Sequence, residues 1–389
     1  MKKRTVIGLE KFVTGGGSAY KKARLGLLAN QATVGPDYVH ALDLIDEARP
    51  GAVRALFGPQ HGWAGEKQDN MVESAHGRDG RGRPIFSLYG GTRRPTAEML
   101  AQIDVLVADL FDVGARVYTF AHTLSHCLEE AGRAGVEVVV LDRPNPIGGA
   151  EVEGNLLAGD CRSFVGLHPL PMRHGLTFGE LARFINARLE SPAYLTVIGC
   201  ENWERESYFP QTGLPWVFPS PNLPSPDCAW VYPGQVLWEG TNISEARGST
   251  RPFNLLGAPF IDCQALHQRL KALDLPGLQF RRAHFQPTFH KWAGEMCRGL
   301  ELFPVDRSFK PYLTSLCLLE IILDLWPDDF QLKPPPYEYE YERRPLDLIL
   351  GRSDIFDRLA AGEKAIDLAA GWEAELADFR RERAAFLLY

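Results

Sequence analysis

The feature that most constrains this chain is a repeated pairing of short apolar runs with helical stretches through its first half. The runs are "RLGLLAN", "AVRALFG", "VLVADLF", "VEVVVLDRP" and "AYLTVIGC". They are mostly β-rich, and several show no period-2 alternation, as strands buried on both faces of a parallel sheet do. Between them lie amphipathic segments. In "HTLSHCLEEAGRAG", Leu124, Cys127, Leu128 and Ala131 share one helical face, and Gly132 or Gly135 can end the helix. In "TFGELARFINARLE", Leu181, Phe184, Ile185 and Leu189 do the same. Alternating elements of this kind predict an α/β fold: a Rossmann-like open, mostly parallel sheet with helices on both faces and right-handed crossovers.

Such a sheet also says where to look for a site, because ligands bind beyond the carboxyl ends of its strands. Three polar loops directly follow predicted strands. "FGPQHGWAGEKQDNM" carries Gln60, His61, Glu66, Asp69 and Asn70. "DLFDVGARVYTF" carries Asp112, Arg116 and Tyr118, and "LDRPNPIGG" carries Asp142, Arg143 and Asn145. A parallel sheet brings all three to one edge. No Gly-x-Gly-x-x-Gly follows the first strand, since "TGGGSAY" precedes it, so no dinucleotide cofactor is indicated.

The chain has 389 residues, enough for two or three domains, with 45% hydrophobic and 23% charged residues, an ordinary globular balance. A formal net charge of -7 offers no basic field to a nucleic acid. The seven cysteines are dispersed with no Cys-x-x-Cys pair, which reads as reduced thiols and no zinc site. "MKKRTVIGLEKF" is too short in its apolar run for a signal peptide, and "SLCLLEIILDLW" is too short and too charged for a membrane span. The expectation is a cytoplasmic location, with no cofactor and no bound metal.

After about residue 210 the texture changes. "FPQTGLPWVFPSPNLPSPDCAWVYPG" reads as an ordered Pro-rich loop crossing a surface, a place for a cis X-Pro bond. The expected division is a Rossmann-like domain over 1–228 and a smaller α+β auxiliary domain over 229–389, with a cleft between them. "PPPYEYEYERRP" alternates Tyr and Glu, so its rings share one face if it is extended, as an edge strand or packed loop or as a wall for stacking a sugar. "LWEGTNISEARGSTRPFN" holds Glu239, Asn242, Glu245 and Arg247 between Trp238 and Phe253. A solvated loop would also be charged, but flanking aromatics pin this one, and carboxylates beside arginine suit acid/base work on a sugar. Other candidates have plainer readings. His122 and His126 are spaced like metal ligands but lack a third, and so read as core or cap histidines. Thr177 and Glu180 form a capping box. Asp142 either binds a ligand or satisfies backbone amides.

Taken together, "GLEKF", "GLLANQA", "PQHGWAGEKQDN", "FSLYG", "DLFDVGARVYTF", "LDRPNPIGG", "MRHGLTFGELA", "SPNLP", "YPG" and "EGTNISEARGSTRPF" resemble the exo-β-N-acetylmuramidase (NamZ-type) family along nearly the whole chain. The resemblance implies a Rossmann-like domain with an auxiliary domain, and a glycosidase that releases terminal N-acetylmuramic acid from peptidoglycan fragments without a cofactor. Many members carry Glu in a Pro-Glu-His-Gly motif where this chain has Gln60; Ala246 stands at a common Gly, Phe111 at a common Gln and Ser249 at a common Thr. An amide cannot serve as a carboxylic acid does, so the work must fall to other carboxylates, or the chain is a sugar-binding protein that kept its cleft. The expected catalytic set is Glu239, Glu245, Glu66 and Asp112. Substrate contacts are expected from Gln60, His61, Asp69, Asn70, Arg116, Tyr118, Asp142, Arg143, Asn145, His174, Asn222, Asn242 and Arg247. The expected partner is a muropeptide-type sugar.

Overall fold

The computed structural model describes residues 3–389. Seven strands make the central sheet: β1 (Leu25–Leu28), β2 (Val53–Gly58), β3 (Gly77–Arg78), β4 (Pro84–Ser87), β5 (Val105–Ala108), β6 (Glu137–Leu141) and, after the hairpin strands β7 (Glu153–Leu156) and β8 (Pro171–Arg173), β9 (Leu195–Ile198). Their order is β3-β4-β2-β1-β5-β6-β9, and every pairing is parallel except that of β3 with β4. The order of addition reverses between β1 and β5, the switch point of a Rossmann-like sheet. Alternate residues serve two cores. Leu28, Phe57, Leu106 and Val138 pack on one side, and Leu27, Leu56, Val107 and Val139 on the other. That two-sided burial is why the strands lack alternation. Helices Phe120–Ala134 and Phe178–Asn186 cover the first side. Gly135, at φ 70°, ends the former. All five predicted strands are present. Sequence reading missed the short β3 and β4, an arm whose residues alternate too little to stand out.

The second half is built on an antiparallel sheet of β10 (Leu255–Ala258), β12 (Cys297–Pro304) and β11 (Leu278–Phe285), with β12 in the middle. Helices Cys263–Lys271 and Pro226–Gln235 pack against it, and Pro311–Leu325 packs on both of them. The Pro-rich segment is not wholly a loop, because Pro226–Gln235 is a helix with Pro226 in its first turn, where a missing N–H costs nothing. The expected junction at 228/229 falls inside this helix. Gly234 lets it cross Pro311–Leu325 closely, since a Cβ there would lie 1.9 Å from the Pro311 carbonyl oxygen. The cis bond is Pro335–Pro336, outside that segment. Among the described residues, no helix is long and apolar enough to cross a membrane.

Candidate active site

The turn after β2 places Gln60 and His61 over the sheet edge, with His61 at φ 71°. The buried Gln60 amide is fully used. Its Oε1 accepts from Thr119 Oγ1, and its Nε2 donates to Glu338 Oε1 at 2.9 Å and to Tyr89 Oη at 3.1 Å. Tyr89 Oη in turn donates to Glu338 Oε2 at 2.6 Å and accepts from the Met71 N–H at 2.8 Å. Glu338 is therefore gripped on both oxygens at 5% exposure. Burial pushes its carboxyl up to about 7, the donors from Tyr89 and Gln60 oppose that, and the nearby Glu239 reinforces it.

The segment that delivers Glu338 is "PYEYE". Instead of an extended strand it is a tight turn closed by Tyr337 pairing with Glu340, with Glu338 and Tyr339 at φ 46° and 65°. Left-handed backbone at two adjacent non-glycine residues costs of order 1–3 kcal/mol each and gathers at functional sites. The expected shared face of the rings is thereby overturned. Tyr337 turns inward and donates to Glu239 Oε2 at 2.7 Å, Tyr339 lies under Arg93, and Tyr341 is exposed.

Glu239 sits in a helical turn, Val236–Gly240, and accepts from Arg247 Nη2 at 2.5 Å on its other oxygen. Behind Arg247 stands Glu245, 3.2 Å from its Nε, 2.6 Å from Lys291 Nζ and 3.3 Å from His290 Nδ1. Burial would push Glu245 up, but Lys291, His290 and Arg247 outweigh it and hold it down at about 2. It is a locked counter-ion. Lys291 also donates to the Trp238, Thr241 and Ile243 carbonyls, which pins this loop. Ala246 is at φ 61°, which explains why a glycine suits that position.

Glu239, Arg247, Glu338, Gln60, His61, Asn70, Tyr118, Ser220, Tyr232, Phe253 and Tyr337 line one pocket. His61 Nδ1 donates to the Lys67 carbonyl at 2.8 Å, so its Nε2 is left as an acceptor. Burial lowers this ring to about 4, which keeps it neutral at pH 7. Asp112 lies deeper. Its Oδ1 accepts from the Gly114 N–H at 2.7 Å and stands 3.6 Å from His174 Nε2, while its buried Oδ2 has no hydrogen-bond partner.

Several expected residues lie elsewhere. Arg116 is fully buried and donates to the carbonyls of Asn155, Leu170, Ile349 and Leu350, with no face toward the pocket. Asp142 accepts from Gly179 N, Thr177 Oγ1 and Tyr389 Oη, which anchors a helix start and the C-terminus, and Arg143 is paired with Asp109. Asn145 bonds the Leu176 carbonyl and packs on Gly114, whose absent Cβ would lie 2.5 Å from its Oδ1. Asn242 bridges Asp329 and Gln331. Asn222 clasps Gln68 and so holds the loop after β2 from outside. Glu66 is exposed, and Asp69 accepts from the Asn70 N–H at 3.0 Å and stands 3.8 Å from Arg247 Nη1 and 4.0 Å from His290 Nε2. Thr177 and Glu180 form the predicted capping box, and His122 is held by the Arg116 carbonyl. Sequence reasoning missed Glu338, Tyr337, Tyr89 and Thr119. The one available signal was the pair of glutamates within "YEYE", which the strand period misread.

Comparison with known proteins places the chain in a family. Residues 25–227 match the N-terminal family model of exo-β-N-acetylmuramidase NamZ, and residues 230–389 match its C-terminal model. The chain is 40% identical over 370 residues to the peptidoglycan β-N-acetylmuramidase NamZ of Bacillus subtilis strain 168, covering 95% of this chain and 87% of the relative. Two crystal structures of DUF1343 family proteins from Bacteroides fragilis NCTC 9343 share the fold. One has a TM-score of 0.89 and 32% identity, covering 99% of each chain; the other has 0.76 and 26%, covering 100% of this chain and 99% of that one. The chain belongs to the exo-β-N-acetylmuramidase NamZ family.

Proposed function

We propose that this chain hydrolyses the β-glycosidic bond of a terminal N-acetylmuramic acid residue in peptidoglycan fragments, with Glu338 as general acid and Glu239 as its carboxylate partner. The observation that carries the assignment is two buried glutamates in one pocket with opposite surroundings. Glu338 is raised to about 7 by burial, so a large fraction holds a proton at neutral pH. Glu239 accepts from Arg247 and Tyr337 on its two oxygens. A carboxyl raised by burial beside one held by an arginine and a tyrosine hydroxyl suits the pair to acid and carboxylate partner. Glu338 gives its proton to the leaving oxygen as the bond to the anomeric carbon breaks. Glu239 faces the positive charge that develops there, and water supplies the hydroxyl to the released sugar while its remaining proton goes to the carboxylate pair, which restores the protonated Glu338.

Arg247 is the pocket's cation, and its Nη1 holds only the long contact with Asp69. A lactyl carboxylate can take that N–H, with Asn70, Ser220 and neutral His61 left for hydroxyls and the acetamido group. The family matches at 25–227 and 230–389 support a junction near 228/229, with the pocket drawing on both sides. The test compares a chromogenic β-N-acetylmuraminide with its N-acetylglucosaminide analogue. The reading expects hydrolysis of the first and little action on the second. Equal rates would refute lactyl recognition, and binding without turnover would refute the catalytic assignment.

A further inference from the structure

A second cavity, of about 450 Å³, shares no lining residue with the sugar pocket. It opens where β7 and β8 meet the start of helix Pro311–Leu325 and helix Glu373–Arg383. Glu153 on β7 and Arg173 on β8 are directly opposed in that antiparallel pair, a relation in which opposite charges ordinarily interact across the ladder. Here each reaches away from the other. Glu153 Oε1 accepts from the Leu313 N–H at 2.8 Å, and Arg173 Nη2 donates to the Ile147 carbonyl and to Tyr208 Oη. Glu153 Oε2 and Arg173 Nε are left buried without hydrogen-bond partners of good geometry, on side chains only 9% and 2% exposed.

Helix capping by the Leu313 and Tyr312 N–H groups uses part of Glu153's acceptor capacity, and no charged partner among the described residues closes on it. Two buried, oppositely charged side chains that line one cavity and each keep an unpaired atom are costly unless a ligand compensates them. A neutral sugar would leave both charges uncompensated. An inorganic anion would satisfy Arg173, with Arg307, Lys310 and Arg380 on the same walls, but it would leave the buried Glu153 uncompensated beside Glu151 and Glu373. A ligand with separated charges satisfies both, and Tyr312, Leu313 and Trp372 offer apolar surface beside them.

We propose that this cavity binds a zwitterionic amino acid or the terminus of a short peptide, with its ammonium on Glu153 and its carboxylate toward Arg173 and Lys310. Burial pushes Glu153 up to about 7 against the pull of Arg173 and Lys310, so an incoming ammonium would restore its charge. Isothermal titration of the full chain tests this with L-alanine, L-alanyl-L-alanine, the N-acetylated and amidated dipeptides, and glucosamine 6-phosphate. Saturable binding of alanine or the dipeptide is expected, weakened about tenfold or more by blocking either end, because each block removes a charge-assisted contact. Tighter binding of the dipeptide would identify a peptide terminus, and tighter binding of alanine a free amino acid. Glu153→Gln should weaken binding similarly; because Glu153 also caps a helix, Lys310→Ala at the rim provides the second variant. Glu338→Gln should leave binding unchanged, which separates this site from the sugar pocket. Absence of binding at millimolar concentration, equal binding of blocked and free dipeptides, preference for glucosamine 6-phosphate, or loss of binding in Glu338→Gln would each overturn the proposal.

Discussion

Gln60 stands at the position where the family resemblance leads one to expect a glutamate, and its surroundings define what an amide can do there. It cannot supply a proton as an acid, but it donates to Glu338 while Thr119 fixes its other end. Losing one uncharged donor is worth about 0.5–1.5 kcal/mol, or roughly two- to twelvefold in rate. Gln60→Ala should therefore lower kcat/KM within that range. It should also move the alkaline limb of the pH profile upward, because the lost donor had been lowering Glu338. Gln60→Glu should move the limb upward too, since two adjacent carboxyl groups resist sharing a second negative charge. A limb that stays in place in both variants would show that Gln60 does not set the acid. Glu66→Gln should keep near wild-type rates, because that side chain is exposed and outside the pocket; about a hundredfold loss would restore it to the catalytic set.

At the scale of elements, the parallel strands were legible because burial on both faces leaves unbroken apolar runs, and the loops after β2 and β5 were legible because polar residues follow them at once. The loop after β6 looked equally polar and is structural. Sequence alone could not separate Asp142 in a ligand site from Asp142 bonded to Thr177, Gly179 and Tyr389, as the last partner lies 247 positions away. Glu338 was hidden for a similar reason: its role depends on two left-handed residues that reverse the chain, which the alternation of "YEYE" does not encode. The Asp142 anchor gives a clean test. Tyr389→Phe removes a hydroxyl that donates to Asp142 and accepts from the Cys200 N–H. It should cost about 1–3 kcal/mol of stability with kcat unchanged. Unfolding in urea and a rate assay below the transition measure both quantities, and a large loss of kcat in folded protein would return Asp142 to the site.

Across the whole molecule, the two halves are joined by buried polar struts as well as by the pocket. Arg116 reaches from the loop after β5 to the Ile349 and Leu350 carbonyls, and Gln60 meets Glu338 across 278 positions. The halves should therefore unfold in one transition. Arg116→Met, which orphans four buried carbonyl contacts, should cost about 3–5 kcal/mol and lower that single midpoint by several degrees; calorimetry showing two separated transitions in the wild type would contradict this coupling. The central claim is that the acid comes from the second half's turn and is tuned by the first half's loop. Its most direct test is the pH dependence of kcat/KM for Glu338→Gln beside the wild type on a chromogenic β-N-acetylmuraminide. The wild type needs Glu338 protonated, so its rate should fall as pH rises through about 7. Glu338→Gln should lose about a hundredfold or more at neutral pH, with that alkaline limb absent and the protein still folded at the assay temperature. A variant that keeps the limb, or stays within about tenfold of wild type, would show that the proton comes from another residue.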